Sequence, residues 1–322
     1  MKLLENLINA YSVSGQENDA RQLLINELKG FGEISVSPMG NLTLHIKGNG
    51  EKMIFAAHID QIGLMVTYIE DGGFLRFSTV GGIEPRDVLN QRVRFQNGTI
   101  GCVCYGEKKE IKDIKLSDMY IDIAAKDKED AEKKVSIGDC AVYNAPFVQN
   151  GDYVLSPYLD NKVGCYVLAE AAKRIKNPSK DVYFVFTVQE ELGLRGAKTA
   201  AFDIMPDYAI ALDVTATGDT PDGYKMAVKA GEGIAIKVKD NSLIAHPAVK
   251  NMIASAAEKA GKQYQYEVLE FGGTDGGALQ LSGNGVPTGV ISIPTRYTHT
   301  ANETANIKDI TDAIDVVCEI VK

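Results

Sequence analysis

Five stretches of the chain each deliver a side chain that can bind a metal ion or transfer a proton. IFAAHID carries His58 and Asp60, LSPYLDNK carries Asp160, VYFVFTVQEE ends in Glu190 and Glu191, AIALDVT carries Asp213, and GVISIPTRYTHT carries His299. Imidazole and carboxylate groups together are ligands that zinc, cobalt and manganese take in proteins. The set predicts a divalent-metal site, provided that the fold brings these stretches together.

The adjacent acids Glu190 and Glu191 indicate how such a site could be divided. Neighbouring side chains on a strand point to opposite faces, so one acid can bind metal while the other acts as a general base on a water. Four carboxylates around one ion would leave too much negative charge. Two divalent ions with one bridging carboxylate, and one further acid and one imidazole each, give a balanced site of the kind known in aminopeptidases.

Each of these residues also has a structural explanation when it is taken alone. Asp160 could be a helix N-cap, Asp213 could cap a turn, and the glutamate pair could be a solvated strand end. Five strand ends that all carry metal-ligand residue types are poorly explained in that way. We therefore favour the metal site.

Two other histidines and a cysteine pair are left outside the predicted site. His45 lies in a predicted edge strand, LTLHIKG, and His246 precedes Pro247 at a predicted helix start. Cys102 and Cys104 form a CxC pair in a strand-like run. No second cysteine pair completes a metal site there, so we do not expect one.

Buried strands and amphipathic helices alternate in the first 60 residues and again after residue 160. Helical stripes are predicted in 17–32 (Leu23, Leu24, Leu28, Phe31, with Gly30 as the stop signal), in 161–177, from Pro247 to Lys259 and in 307–322. Buried strands are predicted at EKMIFAAH, VYFVFTV, YAIALDV and TGVISIP. This pattern predicts a mixed α/β sheet flanked by helices. In open sheets of this kind the ligand crevice lies beyond the carboxyl ends of the strands.

The region from residue 64 to 153 has the pattern of an inserted β-barrel. Hairpins are predicted in 64–82, with a turn at Asp71-Gly72-Gly73, in 92–104, with a type I′ turn at Asn97-Gly98, and in 139–156; a short helix near 126–135 interrupts them. The predicted division is a catalytic domain of residues 1–63 and 154–322, and an inserted barrel of residues 64–153.

Composition excludes several classes of function. The chain has 322 residues, 45% hydrophobic residues and a formal net charge of −9, which is unlike a nucleic-acid-binding protein with its basic face. No stretch approaches the apolar length of a membrane span or the pattern of a signal peptide. Five cysteines do not suggest a disulfide framework, so we expect a cytoplasmic protein.

Seven motifs resemble, in order, the glutamyl or tetrahedral aminopeptidase family, whose members are also labelled endoglucanase M-like. They are AAHIDQIGLMV, GGIEPRDVLNQRV, SPYLDNKVGC, TVQEELGLRGAK, ALDVTATGDTP, FGGTDGGALQ and GVISIPTRYTHT. The resemblance covers nearly the whole chain, the β-rich region included. It implies a zinc-peptidase-like fold of the phosphorylase/hydrolase type and an enzyme that removes N-terminal residues from short peptides.

The resemblance also implies two divalent ions, most simply zinc or cobalt, with assigned ligands. His58 and Asp213 would bind one ion, Glu191 and His299 the other, and Asp160 would bridge them. Glu190 would be the general base, and Asp60 would orient His58. A cis peptide bond would follow the bridging aspartate, between Asp160 and Asn161. Dimers built through the barrel, and assemblies up to a tetrahedral dodecamer, are implied as well.

Other functions remain open at this point. A related metal-dependent amide hydrolase, such as a deacetylase or a carboxypeptidase, would use a similar site on substrates without a free α-amine. A glucanase would need two carboxylates but neither His58 nor His299, and the chain has no tryptophan to stack on a sugar. A non-enzymatic shell or binding protein is the remaining alternative. The preferred N-terminal residue is not predicted.

Overall fold

The fold is a large mixed sheet covered by helices on both faces, with a separate closed barrel. The structure, a computed structural model, describes residues 1–106 and 110–322. Its helices are α1 (Lys2–Asn9), α2 (Asn18–Leu28), α3 (Pro85–Val88), α4 (Lys128–Glu132), α5 (Leu159–Arg174), α6 (Arg195–Ile204), α7 (Pro247–Lys259), α8 (Asp275–Gln280) and α9 (Ile307–Ile320).

The strands are numbered in chain order. They are β1 (Glu33–Val36), β2 (Leu42–Ile46), β3 (Lys52–His58), β4 (Gly63–Ile69), β5 (Leu75–Val80), β6 (Arg92–Phe95), β7 (Ile100–Tyr105), β8 (Met119–Asp122), β9 (Cys140–Tyr143), β10 (Val148–Asn150), β11 (Tyr153–Ser156), β12 (Asp181–Thr187), β13 (Tyr208–Thr215), β14 (Ile234–Lys239), β15 (Tyr264–Val268), β16 (Thr288–Arg296) and β17 (Glu303–Asn306).

The large sheet has a parallel centre. Its order is β1-β2-β12-β3-β13-β16-β17-β11-β10, and β14 and β15 extend it from β16. Neighbouring pairs among β12, β3, β13 and β16 are all parallel, so these four strands end at the same edge of the sheet. The sequence prediction of a mixed α/β sheet is confirmed, and the common edge is where the predicted site residues come together.

Alternate residues of the central strands are apolar on both faces of the sheet, and helices cover both faces. Phe55 and Ala57 of β3 belong to a core with α1, α2, α5, α7 and α9, whereas Ile54 and Ala56 belong to a core with α6 and α8. A strand with apolar side chains on both faces is stable only where helices bury both. The continuous apolar runs seen in the sequence are therefore the signature of this sandwiched sheet.

The barrel closes through six antiparallel strands in the order β4-β5-β8-β7-β6-β9. It has a core of its own, to which Val66, Leu75, Val103 and Ile121 contribute. The prediction of a closed barrel is confirmed. The division at residues 63/64 and 153/154 stays a prediction.

Two of the three predicted hairpins differ in the structure from what the sequence predicts. The third one was expected in 139–156, but β9 pairs with β4 and β6 in the barrel, and β10 pairs with β11 in the large sheet. The turn after β6 is not type I′, because Gly98 takes a positive φ and Asn97 does not. The Asn97 side chain instead accepts the Thr99 N–H in an Asx turn.

Two further predictions are wrong at the amino-terminal end of the sheet. Phe31 was placed on the stripe of α2, but this helix ends at Leu28, and Phe31 is 42% exposed. His45 does not lie in an edge strand, since β1 pairs on the outer side of β2. Its Nε2 lies 2.8 Å from Asp181 Oδ1 and its ring stacks on Tyr183, which is a structural role.

Candidate active site

The candidate site lies in a cleft of about 610 Å³ at the carboxyl ends of the parallel strands. His58 ends β3, Glu190 and Glu191 follow β12, Asp213 lies near the end of β13, and His299 follows β16. Asp160 enters from the first turn of α5. The fold thus gathers side chains from five separate stretches at one edge of the sheet.

Asp160 lies between the two imidazoles. Its Oδ1 is 3.1 Å from His58 Nε2, and its Oδ2 is 3.3 Å from His299 Nε2. The backbone departs from helical geometry at Asp160 and Asn161, and the peptide bond between them is cis, as the resemblance implied. The two distances show that the carboxylate presents one oxygen to each histidine.

The adjacent glutamates face different histidines. Glu190 Oε2 lies 3.8 Å from His58 Nε2, and Glu191 Oε2 lies 3.6 Å from His299 Nε2. Asp213 Oδ1 lies on the side of His58, 3.7 Å from its Nε2. The adjacent glutamates Glu190 and Glu191 thus supply one carboxylate to each half of the site.

Asp60 connects His58 to the glutamate pair. Its Oδ1 lies 3.4 Å from His58 Nδ1, which leaves Nε2 directed at the cleft. The same oxygen accepts the Glu190 N–H at 3.0 Å, and Oδ2 accepts the Glu191 N–H at 3.2 Å and the Ser14 hydroxyl at 2.6 Å. Asp60 is completely buried, so it acts through these neighbours and not on a ligand directly.

His299 is oriented by the loop that follows barrel strand β5. Its Nδ1 lies 2.6 Å from the Gly82 carbonyl oxygen, so Nδ1 carries the proton and donates it there. Its Nε2 is left to face Asp160 and Glu191. The hydroxyl of Tyr143, at the end of β9, donates to the His299 carbonyl oxygen at 3.4 Å. The barrel thus contributes to the geometry of the site.

Burial and mutual repulsion raise the pKa values of Glu190, Glu191 and Asp213. Burial would also raise the pKa of Asp160, but hydrogen bonds with His299 and His58 outweigh burial and hold that pKa below its usual value. Burial raises the pKa of Glu190 well above its usual value, and the charges of Asp213 and Glu191 add to this. Burial likewise raises the pKa of Glu191 to about 7, with a contribution from Asp160. These acids resist ionising together in the absence of positive charge.

The pKa values of both imidazoles are also raised, although burial alone would lower them. Burial alone would lower the pKa of His58, but Glu190, Asp160 and Asp213 raise it well above its usual value. Burial would also lower the pKa of His299, yet Asp160 and Glu191 raise it to about 10. The pocket therefore favours cations strongly.

The donor groups fit divalent metal ions. Within residues 1–106 and 110–322, the ligand atoms of His58, Asp160 and Glu191 lie within 4.8 Å of one another, and so do those of His58, Glu190 and Asp213. The second group contains Glu190, the predicted base, so proximity alone does not separate ligand from base. Five carboxylates, counting Asp60, face only two imidazoles, and two dications would offset this excess.

The seven predicted site residues all lie together, and the residues left out of the site lie elsewhere. His45 pairs with Asp181, and His246 caps α7 through its own ring nitrogen. Cys102 and Cys104 belong to neither group of candidate ligands and are free thiols.

Sequence reasoning missed two buried acids beside the site. Glu303, the first residue of β17, accepts the N–H groups of Asp160 and His299. Asp275, the first residue of α8, accepts the Thr187 hydroxyl, and burial raises its pKa to about 7. Asp275 lay within a quoted motif, FGGTDGGALQ, without a role. Glu303 had only a weak signal, a charged residue in a short strand of small residues.

Residues 40–316 match the sequence profile of the M42 glutamyl aminopeptidase family. The chain belongs to this family. The match covers most of the chain, including the barrel and all seven site residues. The M42 protein described here is therefore a peptide hydrolase of the aminopeptidase class.

Individual relatives agree over almost the full length. A protein of Acetivibrio thermocellus, provisionally described as an aminopeptidase, is 50% identical over 321 residues, which cover 99% of this chain and 97% of the relative. An aminopeptidase of the archaeon Desulfurococcus kamchatkensis has a similar structure, with a TM-score of 0.95 and 35% identity over 99% of this chain and 93% of that one.

A third relative bears on assembly. The TET1 peptidase of Pyrococcus horikoshii has a TM-score of 0.91 and 34% identity, covering 99% of this chain and 98% of its own. That peptidase can assemble into a tetrahedron or a large octahedral shell. In the M42 protein itself, none of the helices in the described residues is both long and apolar enough to cross a membrane.

Proposed function

We propose that the protein removes N-terminal residues from short peptides with two divalent metal ions and Glu190 as general base. The observation that carries the proposal is the position of Asp160, whose two oxygens face His58 and His299 separately. A carboxylate in that position suits a bridge between two ions. His58 and Asp213 would hold one ion, and Glu191 and His299 the other.

The division of labour between the glutamates follows from their neighbours. When bound, the two ions would polarise the scissile carbonyl and make a nearby water more acidic. Glu190 Oε2, 3.8 Å from His58 Nε2, borders the cleft and would take a proton from that water. It would then return the proton to the leaving amine. Asp60 holds the Glu190 backbone through its N–H and so fixes the direction of the side chain.

Two acids beyond the proposed ligands and base favour a substrate with a free amine. Glu84 and Asp87 line the cleft, as do the basic residues Arg86 and Lys237. A carboxylate that is not neutralised by the metal ions attracts a cationic group, and a peptide's protonated N-terminus is such a group. An N-acylated substrate, as a deacetylase would use, lacks that charge.

A substrate panel tests the proposal directly. Purified protein is assayed on aminoacyl-p-nitroanilides, on their N-acetylated forms and on C-terminal substrates, before and after EDTA, and then with zinc or cobalt restored. Cleavage of free-amine substrates that disappears with EDTA and returns with metal is expected. Cleavage only of blocked or C-terminal substrates would favour a deacetylase or carboxypeptidase. Full resistance to chelation, with activity on β-glucan, would favour a glucanase.

We further propose that residues 64–153 form an oligomerisation domain and that the enzyme is a cytoplasmic homo-oligomer, from a dimer up to a tetrahedral dodecamer. The assemblies of the Pyrococcus horikoshii relative support this, and all five cysteines are free, as in a reducing compartment. Sedimentation of the metal-loaded protein tests the assembly. A fully active monomer would contradict it.

A further inference from the structure

Glu303 connects two segments of the candidate site, the first turn of α5 and the loop after β16, through both oxygens of its carboxylate. Oε2 accepts the backbone N–H of Asp160 at 2.8 Å, and Oε1 accepts the backbone N–H of His299 at 2.8 Å. The side chain is 1% exposed, so water does not compete for either hydrogen bond.

The backbone is irregular at both positions, because Asp160 departs from helical geometry in the first turn of α5 and His299 lies in the loop after β16. Tyr158, two residues before Asp160, has a φ of 63°, and His299 has a φ of 64°. Residues other than glycine pay about 1–2 kcal/mol for this left-handed conformation. Such residues keep it only where surrounding contacts enforce it. The bonds to Glu303 are contacts of this kind that act on both segments at once.

We infer that Glu303 is a positioning residue that sets the separation of Asp160 and His299 and thereby the affinity of the site for its second metal ion. Glu303 itself bonds the backbone of these residues and does not serve as a ligand. The inference rests on the two-metal proposal, because Asp160 is the proposed bridge and His299 a proposed ligand. Groups that orient metal ligands typically contribute 10- to 100-fold, roughly, to metal affinity.

A buried acid elsewhere in the chain provides a matched control. Asp309 in α9 is also completely buried and accepts two backbone N–H groups, from Gly231 at 2.6 Å and from Gly233 at 2.9 Å. It lies outside the cleft lining and outside both groups of candidate ligands. Asp309→Asn and Glu303→Gln therefore make the same chemical change, an acid to an amide, in the same kind of hydrogen-bonding environment.

The experiment measures metal binding in the full-length wild type, Glu303→Gln and Asp309→Asn. Cobalt is titrated into metal-free protein and followed by visible absorption, zinc binding is measured by equilibrium dialysis, and urea unfolding in EDTA gives the stability of each protein. An amide can accept only one of the two N–H groups well, so Glu303→Gln should weaken binding of one of two ions by roughly 10- to 100-fold. Its cobalt spectrum should change, whereas Asp309→Asn should lose stability but bind both ions as the wild type does.

Other results would contradict either the inference about Glu303 or the two-metal proposal. Wild-type affinity and spectrum in Glu303→Gln would overturn the inference, and so would an equal loss of metal in Asp309→Asn. A wild type that binds no pair of ions would overturn the two-metal proposal itself, which separates the two failures. If Glu303→Gln does not fold, Glu303→Asp is used, because its shorter carboxylate cannot reach both N–H groups, and the same loss of one ion is expected.

Discussion

Gly81, in the loop after β5, lies directly against Glu191, one of the proposed metal ligands. Its φ is +80°, and a Cβ added there would lie 2.6 Å from Ile62 Cγ2 and 3.0 Å from Glu191 Oε2. The next residue, Gly82, holds the His299 ring through its carbonyl oxygen. Gly81→Ala should therefore disturb a core side chain, Glu191 and His299 together.

The cost of this change can be worked from two contributions. Alanine at a left-handed φ costs about 1–2 kcal/mol. Forcing a methyl group into a filled site costs about 1–3 kcal/mol more, and Ile62 is too buried to move aside freely. We expect Gly81→Ala to lower the unfolding free energy by about 2–5 kcal/mol and to weaken metal binding as well.

Gly98 is the matched control for the backbone contribution. Its φ is +88°, and an added Cβ would have no atom within 4 Å. Gly98→Ala should cost only about 1–2 kcal/mol and leave metal binding unchanged. Urea unfolding of both variants in EDTA gives the stabilities, and equilibrium dialysis with zinc gives the affinities.

Two outcomes for Gly81→Ala and Gly98→Ala would contradict these expectations. If both variants lose the same stability, the contact with Ile62 costs nothing and the packing argument is wrong. If Gly81→Ala is destabilised but binds zinc as tightly as Gly98→Ala, the barrel loop does not position Glu191 and His299.

Three further changes test other parts of the structure. Glu190→Gln is expected to lower kcat by about 10²- to 10⁴-fold, the usual contribution of general acid–base catalysis, while zinc content stays that of the wild type; a kcat near that of the wild type would remove Glu190 as the base. Lys237 and Glu267 form a completely buried ion pair, so Lys237→Met should lower the unfolding free energy in EDTA by about 3–5 kcal/mol. Adding Glu267→Gln to that variant should restore part of the lost stability. An unchanged unfolding midpoint in Lys237→Met would show that the pair is dispensable. Burial would raise the pKa of Asp219, but its hydrogen bonds from Arg296 lower it below the usual value. A carboxyl group with a lowered pKa stabilises the folded protein above its unfolded pKa of about 4 and loses that contribution as the pH falls further. The stability difference between wild type and Asp219→Asn should therefore shrink below about pH 4, and a difference that stays constant down to pH 2 or so would contradict this assignment.

The amino-acid sequence was sufficient to predict the types of the secondary-structure elements and the residues able to bind metal or transfer a proton. Apolar runs such as VYFVFTV required strands buried on both faces, and the placement of acids and histidines beyond those runs put them at one edge of a parallel sheet. The strand predictions held because hydrophobic periodicity is a local property of the chain, and the common edge followed because alternating strands and helices favour a parallel sheet. The adjacent acids Glu190 and Glu191 diverge for a reason other than the predicted strand alternation, because β12 ends at Thr187 and both acids lie in the turn that follows it, after Gln189 with a φ of 54°.

The partners of these elements and residues depend on the complete fold and could not be predicted from the sequence. The sequence could not assign β10 to the large sheet, because an alternating pattern specifies a buried face and not the neighbouring strand. It could not reveal that Glu303 bonds both Asp160 and His299, or that Gly82 orients His299 from the barrel. These contacts join positions far apart in the chain, and their geometry depends on how the whole sheet twists and closes. The ligand types are local information, whereas the contacts that hold them at metal-binding distance arise only from folding.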